Sequence, residues 1–182
     1  MKRSKKAALI LMVATASLLF TSCAQQEEPA LVFNDPFECK AAGLSSAEEC
    51  DAEFAAATAL HPEVAPKYAN RAECEADFGA EGCEAVPQEQ ARSGGFFMPF
   101  MTGYLIGNML NRNTGNRSSM NSQPLYKSSS DPGSFRTGSN TVVSRGTGLV
   151  QVNPARVAPQ AGGMVRRGGF GQQAAARTSL GG

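Results

Sequence analysis

Tryptophan is absent from this chain, histidine occurs once, at His61, and none of the five cysteines forms a Cys-x-x-Cys pair. Each absence removes a class of chemistry. His61 stands beside Pro62, and nothing around it resembles a nucleophile-base pair. A phosphate loop, a zinc-protease helix and a hydrolase elbow are also missing. No catalytic residue, resident metal or cofactor is therefore expected, and the sequence reads as that of a non-enzyme. The apolar run Ala7 to Phe20 has 14 residues, short of the about 20 that a membrane-spanning helix requires.

A balance of charge is missing too. The formal net charge is +1, but residues 24–93 carry 15 acids against 4 bases, whereas residues 112–182 carry 9 bases and one acid, Asp131. The chain has an acidic head and a basic tail.

What is present begins with Lys2, Arg3, Lys5 and Lys6, followed by the apolar run and then Thr21-Ser22-Cys23. That is the layout of a secretory signal. Its end resembles the bacterial lipobox, with Phe20 where leucine is usual and Cys23 as the lipidated first residue of the mature chain. An ordinary cleaved signal and an uncleaved anchor are the other readings of the same segment. Two or more acyl chains give stable membrane anchoring, at about 0.8 kcal/mol per buried CH₂. Ala24 stands where an aspartate would resemble an inner-membrane retention signal, which points to the periplasmic face of the outer membrane.

After a short polar tether, three helix starts are legible. Asp35-Pro36-Phe37-Glu38 offers an N-cap, a proline at the first helical position and a first-turn carboxylate, with Gly43 as a stop. Ser46-Ala47-Glu48-Glu49 is a capping box opening a helix to about Leu60, and Asn70 opens another that ends at Gly79. Glu49-Cys50-Asp51-Ala52-Glu53-Phe54 and Glu73-Cys74-Glu75-Ala76-Asp77-Phe78 align as Glu-Cys-acid-Ala-acid-Phe, with cysteine and phenylalanine four apart on one helical face.

With Cys23 assigned to lipid, Cys39, Cys50, Cys74 and Cys83 remain. An even number in a small exported domain reads as two structural disulfides. The near-neighbour pairing, Cys39 with Cys50 and Cys74 with Cys83, is preferred; Cys50 with Cys74 and Cys39 with Cys83 is the rival. Each short loop would stabilise by roughly 3 kcal/mol. The spacings do not match a zinc site, and no thiol-redox motif is present. A periplasmic redox or metal-binding protein using these four cysteines is nonetheless the competing function.

Residues 94–111 are rich in glycine and apolar side chains. A helix there would present Gly95, Gly103 and Gly107 as a strip flanked by Phe100, Met101 and Tyr104, with Phe97 and Pro99 in the same segment. This is the candidate segment for self-association or lipid contact, with packing on the cysteine domain as the plainer alternative. Beyond Asn111 the composition reads as disordered or locally extended, with small islands at Pro124-Leu125-Tyr126, Thr141-Val142-Val143 and Leu149 to Val152. Arg167-Gly168-Gly169-Phe170-Gly171 would suggest RNA in the cytosol. Behind a secretory signal, nucleic acid is excluded; anionic lipid, another envelope polymer or the acidic head is the expected partner, and a solvated spacer with no specific ligand is the equal alternative.

Ala65-Pro66-Lys67-Tyr68-Ala69-Asn70-Arg71 with Cys74, Phe78 and Cys83, then Phe97-Met98-Pro99, Gly103-Tyr104, Gln123-Pro124-Leu125 and the late Arg-Gly-Gly-Phe-Gly, resembles the YgiB-like family of proteobacterial envelope proteins, a domain of unknown function. The resemblance implies a lipoprotein and supplies no catalytic residue. The expected architecture is mainly α. It comprises a signal peptide (1–22), a lipidated tether (23–32), a disulfide-stapled helical head (33–93), a short glycine-rich apolar helix (94–111) and a long disordered basic tail (112–182). The expected role is structural or interactive. Expected partners are membrane lipid through Cys23, an envelope protein or anionic polymer, and a second copy of the chain.

Overall fold

The computed structural model describes residues 27–87, 95–107 and 122–171, and the structural statements below concern those residues. The organising element is a six-stranded antiparallel sheet, which overturns the mainly α expectation. Its strands are β1 (Glu28–Phe33), β4 (Gly103–Gly107), β5 (Gln123–Ser128), β6 (Asp131–Arg136), β7 (Val142–Ser144) and β8 (Gly148–Val152). They lie in the order β7-β6-β5-β4-β1-β8. The two edge strands are consecutive in sequence and approach each other, so the sheet curls into a nearly closed barrel. Strands β2 (Cys83–Ala85) and β3 (Phe97–Pro99) form a separate pair.

Strand β1 shows why the sheet escaped detection. Ala30, Leu31, Val32 and Phe33 are all buried, a continuous apolar run rather than an alternating one. Ala30 and Val32 face the barrel interior with Leu105, Leu125, Phe135 and Val152. Leu31 and Phe33 face outward with Tyr104 and Ile106, beneath the disulfide-bearing helices. A strand buried on both faces has no period of two to read. Residues 28–32, expected in the tether, thus belong to an inner strand of the sheet.

The capped helices do form. In α1 (Pro36–Ala42) Asp35 caps the Glu38 amide at 2.9 Å, and Gly43 closes the helix at φ 65°. Helix α2 (Ala47–Val64) opens with the full Ser46–Glu49 capping box and runs past Pro62. Asn70 caps α3 (Arg71–Phe78). Along α2, Cys50, Phe54, Ala57, His61 and Val64 recur at spacings of four and three, the stripe that meets the sheet. A short α4 (Pro154–Val157) places Val157 in the barrel interior.

Two further expectations are corrected. The glycine-rich apolar helix is instead β3 and β4. The disordered tail is, over residues 122–171, four strands, a helix and a strap across the head. Its low apolar content suffices because each island sends a large side chain into a core: Leu125, Tyr126, Phe135, Val152 and Phe170 are all buried. Asp131, the one acid of the basic third, pairs with Arg136 at 2.9 Å in a largely buried bridge. No helix among the described residues is long and apolar enough to cross a membrane.

Candidate functional site

Three of the sequence patches that carried the family resemblance, those around Tyr68, Phe97 and Phe170, meet in space. Leaving α2, residues 65–68 run extended between two partners. On one side Tyr68 and Phe97 exchange main-chain hydrogen bonds of 2.8 and 3.0 Å. On the other, the Lys67 amide donates to the Gly163 carbonyl at 3.0 Å and the Val165 amide to the Lys67 carbonyl at 2.7 Å. The chain from Gly162 to Gly171 is thereby laid across the head as a strap. It crosses closely enough that a Cβ on Gly162 would stand 1.8 Å from the Ala65 carbonyl oxygen.

The strap then turns. The Gly169 amide donates to the Arg166 carbonyl at 2.8 Å, and Gly168, third in this turn, has φ 71°. That left-handed backbone strongly favours glycine. The turn aims two amides at one carboxylate. Asp77, 3% exposed, accepts from Gly168 N at 2.6 Å, Phe170 N at 3.2 Å and the Tyr68 hydroxyl at 2.9 Å. Burial, with the Asp77 charge beside it, pushes the Tyr68 phenol well above its ordinary pKa, so it keeps its proton and donates. Phe170 enters the apolar space next to Asp77, its ring 4.8 Å from Phe78 and edge-on to Tyr126 at 6.4 Å. At the strap's end, Asn140 takes both polar groups of Gly171, accepting from N at 2.9 Å and donating to O at 3.3 Å.

A second polar group underlies the same region. His61, 7% exposed, lies with Nδ1 2.8 Å from the Tyr126 hydroxyl and Nε2 3.2 Å from a Glu84 carboxylate oxygen. In the neutral ring protonated at Nε2, Tyr126 donates to Nδ1 and Nε2 donates to Glu84. Burial lowers the histidine pKa from 6.5, opposed by the hydrogen bond and charge of Glu84. Burial, then Glu84, raises Tyr126. This trio ties α2 to both sheets. It offers little to a substrate, because Tyr126 is fully buried.

All four head cysteines are buried and paired, Cys39 with Cys50 and Cys74 with Cys83, with Cα separations of 5.8 and 6.2 Å. Cys23 lies outside the described residues. Of the association segment, Gly95 precedes β3, Phe97 and Pro99 lie in β3, and Gly103, Tyr104 and Gly107 lie in β4. Gly103 is needed for packing, since a Cβ there would meet the Phe135 ring at 2.5 Å and the Phe33 carbonyl at 2.7 Å. Tyr104 is buried against Phe33 and edge-on to Phe54. Its hydroxyl finds no hydrogen-bond partner among the described residues, and burial, with Asp35, Glu38, Asp51 and Glu53 adding to it, pushes its pKa up to about 12.

Sequence reasoning singled out neither Asp77 nor Tyr68 as a site residue, and it placed the Arg-Gly-Gly-Phe-Gly motif in a disordered tail, with the acidic head as only one of several partners. The usable signal was a glycine pair followed by phenylalanine, a turn with an anchor. An open cleft of about 520 Å³ among the described residues holds less chemistry; Glu53, Ala56, Leu60, Glu63, Gly107 and Ser122 line it. Among the described residues no cluster of three or more histidine, cysteine or acidic side chains could hold a metal ion.

A family described as a protein of unknown function, DUF1190, matches residues 27–181. Among curated proteins, the UPF0441 protein of Sodalis glossinidius is 31% identical, covering 98% of this chain and 86% of its own length. The UPF0441 protein of Erwinia tasmaniensis is 29% identical over 94% of this chain and 82% of its own. That of Klebsiella pneumoniae strain 342 is 30% identical with the same coverage. No solved structure matches the chain.

Proposed function

We infer, from the premise that this chain belongs to the DUF1190 family of proteins of unknown function, that it is a lipid-anchored envelope protein without catalytic activity. In this reading Cys23 holds it at the periplasmic face of the outer membrane, where it serves a structural or interaction role. The observation that carries the reading is the cysteine arithmetic. Four of five cysteines are consumed by two bridges, and the fifth ends a signal-like segment. Disulfides belong to oxidising compartments, which agrees with export. Strand β1 begins at Glu28, so only residues 24–27 separate Cys23 from the sheet. At about 3.3–3.6 Å per residue, the folded domain sits close against the membrane surface.

The absence of catalysis is supported by where the reactive side chains go. His61 bonds to both Tyr126 and Glu84, and Asp77 bonds to both Tyr68 and the strap. A mass spectrum of the mature protein from intact envelopes tests the reading. The expected species begins at Cys23, carries the mass of its acyl chains and has no free thiol. An unmodified Cys23 would remove the anchor, and four reactive thiols or bound zinc would favour a redox or metal role instead.

A further inference from the structure

The strap is recognised in a way that does not depend on its being covalently attached. Asp77 reads two amides that only a turn with a left-handed third residue can aim together, and the adjoining apolar space reads one aromatic ring. The residues that join the strap to α4, Ala158 to Ala161, lie in no helix or strand, and 159–161 are exposed. The site is therefore a built receptor whose ligand hangs on a linker with no helix or strand of its own.

We propose that the cleft formed by Asp77, Tyr68, Phe78, Met98 and Tyr126 is a binding site for an extended Gly-Gly-Phe-Gly segment, filled in cis by residues 162–171 and in trans by the same segment of a second copy of this chain. The ligand class follows from the contacts. It must be glycine at the turn, because Gly168 sits at φ 71°, and aromatic two residues later, because that side chain packs between Phe78 and Tyr126. Lys67 supplies the main-chain edge along which the segment pairs. The chain carries one Gly-Gly-Phe-Gly sequence, residues 168–171, and its described residues form one such cleft, so reciprocal exchange between two copies closes into a symmetric pair. The cis strap, tethered by a short linker, competes at high effective concentration and keeps a lone molecule closed. The proposal does not depend on Cys23 or on membrane attachment.

Complementation tests it, using full-length chains that all carry Cys23→Ala. Gly168→Pro disables the strap, since proline has no amide and cannot reach φ 71°, while leaving the cleft intact. Asp77→Asn disables the cleft and leaves the strap intact. Each variant alone is expected to run as a monomer, and the mixture to give a one-to-one complex by native mass spectrometry. A labelled synthetic peptide of residues 162–171 should bind the Gly168→Pro chain at least tenfold more tightly than the unsubstituted one. The same peptide with Phe170→Ala should lose that binding. If Gly168→Pro does not fold, as judged by its two disulfides, Asn140→Ala, which frees Gly171 without touching the cleft, takes its place. Chains that keep both disulfides yet show neither complex nor peptide binding overturn the proposal. Peptide binding without a complex overturns the second copy as occupant.

Discussion

The same six-residue motif occurs twice and is put to two different uses. In α2, Cys50 bonds back to Cys39, Glu53 accepts a hydrogen bond from Ser122, and Phe54 packs edge-on against Tyr104 of the sheet. In α3, Cys74 bonds forward to Cys83, Asp77 receives the strap, and Phe78 packs between Tyr68 and Phe170. The first copy fastens a helix to the sheet; the second builds a receptor for the far end of the chain. One methylene separates the two acids. The shorter Asp77 is almost fully buried and takes three donors, whereas Glu53 is half-buried and reaches the rim of a cleft. The same motif therefore serves as scaffold in one copy and as part of a binding site in the other.

The largest expected contrast is between the two acids. Asp77→Ala leaves three buried donors without an acceptor, each worth about 1–3 kcal/mol, so a loss on the order of 3 kcal/mol or more is expected in urea unfolding. Glu53→Ala should cost about 1 kcal/mol. Equal losses would erase the distinction. Phe170→Ala comes next, since truncating a buried phenylalanine costs roughly 3–5 kcal/mol and here also releases the strap; proteolysis after Arg166 or Arg167 should accelerate in step.

The bridges sharpen the comparison from another side. Replacing either cysteine pair by alanine should cost roughly 2–4 kcal/mol, because the loops are similar, with sequence separations of 11 and 9. Only loss of Cys74–Cys83 should also speed amide exchange at Gly168 and Phe170. If loss of Cys39–Cys50 does the same, the two copies are not independent.

The smallest effect is set by pH. His61 has its folded pKa lowered from 6.5, so the unfolded chain takes up the proton more readily. Stability should be flat above about pH 6.5 and decline as the pH falls toward the folded pKa. Comparing unfolding at pH 7 and pH 5 for the parent and His61→Gln measures this, with the slope expected to flatten in the variant. A parent that gains stability on acidification would show that Glu84, not burial, governs the ring.

Local chemistry was legible in the sequence and long-range pairing was not. Asp35, Ser46 and Asn70 cap helices because a cap needs only its own next three residues. The near-neighbour disulfides formed for a similar reason, each closing a short loop. The barrel depends on partners far apart: Phe33 pairs with Tyr104, and Glu28 with Val152. Strands β5 and β6 carry Pro124, Pro132 and Gly133 and resemble coil in composition. The islands noted at residues 124–126, 141–143 and 149–152 fall in or beside β5, β7 and β8, too short to be recognised as strands without the neighbours that bury them. The strap was hidden more completely, because what Asp77 recognises is main chain.

Amide hydrogen exchange at Gly168 and Phe170 tests the central claim most directly, that the glycine-rich end of the chain is a bound strap and not a free tail. The account predicts exchange slowed by orders of magnitude relative to a free peptide of residues 162–171, with the protection lost in Asp77→Asn. Exchange at the free-peptide rate in the parent chain would contradict it.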